Sequence, residues 1–445
     1  MNAKLRVSRF VLGAAIGTSL ATAIGCVGAG DGDNGAADET VAATLCDDTR
    51  ALAPDTQFFT PPPIPGAVTQ FLDLVKARRT TDALRLAAMV TTPQAVWFTG
   101  GSPDEVERSV KQTMRAAALA RRVPVLAAYN VPFRDCAQYS SGGAVDTAAY
   151  KAWIDGFARG IGGGKAVVIL EPDSLGIIPY NTTIYGAADW CKPTVSDGQG
   201  GTIPAPGASS DERYAQLNYA VDALEAKAPR ASVYLDGSHS NWLGVGEAAF
   251  RLNKAGVARA QGFFLNVSNY QPTSELAQFG TWVSDCITAA TAGAPWAAGH
   301  FDWCPSQYDP ALGFAVNYSA DYAATVTAGL ENLMGGAAAT THFVMDTGRN
   351  GQGPWHPSAA YPDAQDWCNA PGRGVGLRPS ASTNVPLADA TLWIKIPGGS
   401  DGSCNRGIAG STTDPEWGGI TDPVAGAWFP QQALQLAQLA NPALF

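Results

Sequence analysis

Charge is scarce in this chain and histidine is almost missing. Charged residues make up 15% of 445, and 39 acids against 29 bases leave a net charge of −10. A surface of that sign repels phosphates, so no nucleic-acid partner is expected. The four histidines, at 239, 300, 342 and 356, show no ligand spacing, and no Cys-x-x-Cys pair occurs among the eight cysteines. Neither a metal nor another cofactor is expected from that set. The longest apolar stretch, 10–25, is too short and too rich in Gly and Ala for a membrane span. No internal repeat of fixed period is present.

What the chain does have is apolar content of 46%, enough to bury a large core, together with 12 Trp and 13 Tyr. Most of these aromatics are expected in the core, but planar rings are also what sugar rings stack on. Lys4, Arg6 and Arg9 precede the apolar stretch, the layout of an export signal. The stretch ends at Ala23-Ile24-Gly25-Cys26, which looks like a bacterial lipobox with Ala in place of the usual Leu. Two outcomes stay open: a lipid anchor through Cys26 on an envelope membrane, or free secretion. Residues 1–26 are thus expected to be a signal peptide, 27–50 a flexible Gly/Asp/Ala-rich linker, and 51–445 the folded domain. Export places the cysteines in an oxidising compartment, which favours disulfides.

From about residue 93, short β-branched runs alternate with helical patterns. Strands are predicted at Ala95–Phe98, Val123–Tyr129, Ala166–Leu170, Ser232–Leu235, Gly262–Val267, Thr341–Met345 and Leu392–Ile396. Near-continuous apolar runs suit parallel strands covered on both faces. Helices are predicted over Pro103–Arg122, with Ser102 as N-cap and Pro103 first, and over Thr147–Arg159, Asp211–Lys227 and Tyr318–Leu333. The alternation implies a barrel-like α/β domain. Two Gly-rich stretches, 181–210 and 397–426, follow strands as long loops.

Polar residues gather just past the strand ends, where parallel barrels assemble their active sites: Asn130 to Cys136, Glu171 to Ser174, Asp236 to His239, Asn269-Tyr270, Asp346 to Gly351, then Lys395 and Asp401. A single Asp there is usually a cap or a surface charge. Carboxylates at several tips, without metal ligands, point to acid/base work on a neutral, hydroxyl-rich substrate.

From about residue 90 to the C-terminus the chain resembles glycoside hydrolase family 6, the inverting cellobiohydrolases and endoglucanases. The resemblance rests on an ordered series: Tyr129…Arg134-Asp135-Cys136, Ser141-Gly142-Gly143, Glu171-Pro172-Asp173-Ser174-Leu175, Tyr234-Leu235-Asp236-Gly237-Ser238-His239, Asn266-Val267-Ser268-Asn269-Tyr270, Asp346-Thr347-Gly348-Arg349-Asn350-Gly351, Asp366-Trp367-Cys368 and Trp393-Ile394-Lys395. It implies a distorted, incomplete parallel barrel of about seven strands that hydrolyses β-1,4-glucan as a monomer. It implies Asp173 as general acid, kept protonated by repulsion from Asp135, with a helix cap as the bland alternative. Tyr129 would crowd the reacting sugar, Ser141 would hold the attacking water, and Asp401 matches the position often proposed as base. Asp236 reads as a structural or electrostatic supporter near the substrate. His239, Lys395, Asn269 and Arg134 read as polar contacts, and Trp97, Trp242 and Trp367 as stacking platforms. The resemblance pairs Cys136 with Cys191 and Cys368 with Cys404; Cys286 and Cys304 remain for a third bridge, and Cys46 is left over.

Departures are Gly399, where the family usually has Glu, and Gly237, where it usually has Ala. No separate cellulose-binding module is visible, and endo and exo action both stay open. Two rivals remain: a non-catalytic glycan-binding protein on the same scaffold, and a serine hydrolase using Ser400 in Gly398-Gly399-Ser400-Asp401-Gly402, which lacks the helix that motif requires.

Overall fold

The computed structural model describes residues 51–357 and 359–445. The expected signal peptide, the linker, Cys26 and Cys46 lie outside the described residues.

Seven strands form one sheet, all parallel and in chain order: β1 (Val96–Phe98), β2 (Val125–Ala128), β3 (Ala166–Leu170), β4 (Ala231–Asp236), β5 (Gly262–Leu265), β6 (His342–Asp346) and β7 (Ala388–Leu392). Parallel neighbours need crossovers, and helices supply most of them. Before β1 come α1 (Pro65–Lys76) and α2 (Thr80–Val90). The crossovers are α3 (Pro103–Ala120), α4 (Thr147–Ile161), α5 (Ser210–Lys227), α6 (Val245–Lys254) and then α7 (Thr273–Ala292) with α8 (Ala320–Met334). After β7 the chain ends in α9 (Pro430–Gln438), which packs through Ala433 and Leu436 on Leu74, Leu86 and Trp393.

The period-two alternation of a strand makes two cores here. In β3, Ala166, Val168 and Leu170 face the helices, among Trp153, Phe157 and Leu217, while Val167 and Ile169 face inward with Ala127, Tyr234, Phe264 and Val344. The sheet therefore curls around its own filling. Its ladder does not close, yet the edges meet: the Ala95 amide donates to Trp393 O at 2.9 Å and the Trp97 indole to Ile394 O at 2.8 Å. The fold is the incomplete α/β barrel expected.

Three of the predicted helices begin at caps. Ser102 and Glu105 form a reciprocal capping box, Asp146 accepts from the Ala149 amide, and Ser209 from that of Glu212. Such caps stabilise a helix by about 1 kcal/mol each. The seventh strand is a correction: it runs Ala388–Leu392, not Leu392–Ile396. Asp389 breaks its apolar pattern because the carboxylate accepts from Tyr234 at 2.5 Å and contacts His342 Nδ1 at 2.7 Å. The more apolar 393–396 lies past the strand, where the amides of Ile394 and Lys395 turn to Asp346. The pattern also missed α7, which buries every residue from Trp282 to Ala290, Ser284, Asp285 and Thr288 included, and so shows no single apolar stripe. Inside 181–210 sits an exposed hairpin, Thr194–Ser196 with Thr202–Pro204.

Candidate active site

Three buried carboxylates stitch the strand tips together. Glu171, after β3, accepts the amides of Asn130 (2.7 Å) and Val131 (2.9 Å) beyond β2. Asp236, ending β4, accepts those of Leu175 (2.9 Å), Gly176 (3.1 Å) and Ser238 (2.9 Å). Asp346, ending β6, accepts those of Gly348 (2.9 Å), Ile394 (3.1 Å) and Lys395 (2.9 Å). The stitched loops are strained: Asp135, Glu171, Asp173, Ser238, Asn266 and Ser268 all hold φ between +54° and +71°. Non-glycine residues take that region at a cost, and they cluster where a scaffold overrides it to aim side chains.

The side chains so aimed surround a cleft of about 690 Å³ over the strand ends. Its lining brings together Asp173, Asp135, Asp401, Tyr129, Ser141, Arg134, His239, Asn269, Lys395, Trp97, Trp242 and Trp367. Asp236, read as a supporter near the substrate, supports the site from below and is not part of the lining. It is buried under the lining, with its oxygens spent on backbone amides. Those amides, Leu175 and Gly176, are the ones a cap at Asp173 would have served, and no helix begins there. The serine-hydrolase alternative also fails on placement: Ser400 is fully buried, and its hydroxyl donates to Pro423 O at 2.7 Å.

Tyr129 places its hydroxyl 3.1 Å from Ser140 Oγ, and Ser140 donates through both its amide (2.8 Å) and its hydroxyl (2.9 Å) to Asp135 Oδ2. Arg134 braces this loop, donating to Tyr129 O at 2.6 Å and Ser140 O at 2.9 Å, with its guanidinium 4.6 Å from the Tyr129 ring centre. Asp401, in the same lining, is gripped by Arg349 (2.7 Å) and Lys395 (2.8 Å). Trp97 meets Tyr129 edge-on at 5.4 Å, Trp242 lies 5.6 Å from His239, and Trp367 lies 6.0 Å from Tyr139. Three disulfides form as expected, Cys136–Cys191, Cys286–Cys304 and Cys368–Cys404. The first adjoins Asp135, the third Trp367.

The family model for glycosyl hydrolases family 6 matches residues 53–440, nearly all of the described chain. The chain belongs to glycosyl hydrolase family 6. It is 30% identical over 362 residues to Endoglucanase A of Cellulomonas fimi, covering 81% of this chain but only 57% of that protein. It is 28% identical over 384 residues to the probable 1,4-beta-D-glucan cellobiohydrolase C of Neosartorya fischeri, covering 80% and 72%. Among solved structures it resembles the endoglucanase Cel6 of Mycobacterium tuberculosis, in complex with methyl-cellobiosyl-4-deoxy-4-thio-beta-D-cellobioside: TM-score 0.57, 31% identity, 86% of this chain and 97% of that one. The Cel6A cellobiohydrolase core of Chaetomium thermophilum shares the fold at TM-score 0.56 and 22% identity, covering 87% and 98%.

The carboxylates of the family 6 cleft are shifted in opposite directions. Burial is the main force raising Asp173 well above the carboxylate range; the charges of Asp236 and then Asp135 add to it, against Lys395 and the Tyr129 hydroxyl. Repulsion from Asp135, expected to dominate, thus ranks third. Burial also raises Asp135, against the two Ser140 bonds. Asp401 goes the other way: burial would raise it, but Arg349 and Lys395 outweigh that and hold it below the ordinary value. Burial drops His239 to about 3, so it is a neutral imidazole. Its Nδ1 accepts from the Asn241 amide at 3.2 Å, which leaves Nε2 as the donor. Sequence reasoning missed Ser140, Arg349, Trp190 and Trp355. Arg349 stood in a quoted motif without a role, Ser140 was masked by its neighbour Ser141, and both tryptophans sit in irregular loops.

Proposed function

We propose that the chain hydrolyses β-1,4-glucosidic bonds of cellulose and related β-glucans with inversion of configuration. The carrying observation is that Asp173 and Asp401 line one cleft with protonation preferences pushed in opposite directions. Such a split assigns acid and base. Asp173, held neutral, protonates the glycosidic oxygen as the bond to the leaving sugar breaks. Asp401, ionised at any working pH, accepts the proton of the attacking water and faces the positive charge that develops on the sugar ring. Ser140 and Ser141, beside Asp135, hold that water. Inversion needs the acid and the water-activating group about 6.5–9.5 Å apart, against about 5–5.5 Å for a retaining pair. Trp97, Trp242 and Trp367 stack successive glucose rings. His239 Nε2–H, Lys395, Asn269 and Arg134 contact hydroxyls or hold the loops that do.

The protein is read as a monomer acting outside the cytoplasm, free or anchored through Cys26. The basic residues and apolar run at the N-terminus, which have the layout of an export signal, and the three disulfides support export. The test is reducing-sugar release from barley β-glucan and carboxymethyl cellulose. Wild type should release sugar and Asp173→Ala should not. Wild-type protein that binds these polymers without cutting them would instead make it a glycan-binding protein.

A further inference from the structure

Outside the cleft, the turn after α7 carries two indoles in the open. Trp296 is 52% and Trp303 47% exposed, with ring centres 6.2 Å apart and planes tilted by 31°. Single exposed aromatics are ordinary, but these are built into a rigid support. His300 stacks flat on Trp303, 3.6 Å between centroids and 8° between planes, which fixes the ring. Phe301 is buried as an anchor against Phe250, and Cys304, next to Trp303, is bonded to Cys286 of α7. A turn so fastened holds its indoles in place at little further entropic cost to whatever binds them.

A second loop runs from beside this turn to the cleft. A methyl group on Gly246 would meet Phe301 O at 2.2 Å and Tyr185 Oη at 3.0 Å, so the Phe301 turn and the Tyr185 loop close on the same point of α6. Ile184 fastens that loop by donating its amide to Glu247 at 2.8 Å. Tyr185 is 58% exposed, and five residues on, the 53% exposed Trp190 lines the cleft itself, beside the Cys136–Cys191 bridge.

We infer that Trp296 and Trp303 form a second β-glucan-binding platform, joined to the cleft by way of Tyr185 and Trp190. The ligand is a neutral polysaccharide, because the exposed groups are ring faces suited to the C–H faces of sugars and the trail leads into the cleft. This rests on the β-glucan reading above. The platform would hold a polymer strand while another stretch of it occupies the cleft, raising the local concentration of scissile bonds.

The test uses the full chain carrying Asp173→Ala, run in native gels containing hydroxyethyl cellulose, with and without Trp296→Ala/Trp303→Ala. The double replacement should weaken retardation about tenfold, equally at low and high salt because the ligand is uncharged. In the chain that retains Asp173, the same double replacement should leave kcat/KM on cellotetraose within about twofold of the unreplaced enzyme, since neither tryptophan lines the cleft. Trp296→Ala alone, which leaves the His300–Trp303 stack intact, should weaken retardation in the same direction and stands in if the double variant does not fold. Unchanged retardation in a folded variant overturns the platform. A wild type that fails to cut cellotetraose sinks the hydrolase reading instead; retardation that still depends on Trp296 would then leave the platform standing.

Discussion

The phenolic oxygen of Tyr129 stands 3.5 Å from Oδ2 of Asp173. Burial and the carboxylates of Asp173 and Asp135 push that phenol far above its ordinary acidity range, so it stays an O–H donor. Its hydrogen bond lowers the pKa of Asp173, against the larger effect of burial. Removing the hydroxyl should therefore raise Asp173 further. Tyr129→Phe keeps the ring against Trp97, and its kcat should fall about tenfold while the alkaline limb of the pH–rate profile moves to higher pH. Steady-state rates across pH on cellotetraose read both effects.

Asp236→Asn should move the same limb the other way. The Asp236 charge raises Asp173, so its loss lowers the pH at which Asp173 gives up its proton. Asn also replaces one acceptor oxygen with a donor that faces backbone amides, at a cost of about 1–3 kcal/mol. Denaturant unfolding should register that loss. A substrate-contacting residue would instead raise KM without touching stability.

The Arg349–Asp401 pair carries a stability signature. Both partners are buried, and truncating Arg349 leaves Asp401 with Lys395 as its remaining cation, so Arg349→Met should cost somewhat less than the about 3–5 kcal/mol of a fully orphaned buried charge. Asp401 is depressed when folded. Its contribution is thus complete above the unfolded carboxylate value and disappears only as pH falls through the lower folded one. Lys395→Met should raise Asp401 and Asp173 together, shifting both limbs of the pH–rate profile upward.

Cys136–Cys191 closes a span of 55 residues, for which chain entropy gives about 4 kcal/mol. Because Cys136 adjoins the left-handed Asp135, Cys136→Ser/Cys191→Ser should lower kcat as well as stability. In Cys286→Ser/Cys304→Ser, whose bridge lies away from the cleft, kcat on short oligosaccharides should hold. Parallel unfolding curves and rate measurements separate the two effects.

Much of this was legible in the sequence because each tip carboxylate follows an apolar run: Val-Val-Ile-Leu before Glu171, Val-Tyr-Leu before Asp236, Phe-Val-Met before Asp346. The chain's own strands announce where the cleft lies. The seventh strand was not legible, since Asp389 serves a polar contact with Tyr234 and His342 that only tertiary pairing reveals. The grip of Arg349 on Asp401 spans 52 residues, across β7 and the loops on either side of it, and no local pattern encodes it. The main cause of Asp173's acidity, burial, is likewise a property of the assembled cleft, whereas charged neighbours can be guessed from a motif.

The claim on which the rest depends is that Asp173 hands a proton to the leaving oxygen, and it is tested by varying the leaving group's need for one. Asp173→Ala should lose at least about a thousandfold in kcat on cellotetraose. On 2,4-dinitrophenyl β-cellobioside, whose phenolate departs without protonation, it should lose no more than about tenfold. Equal losses on the two substrates would contradict Asp173 as the acid.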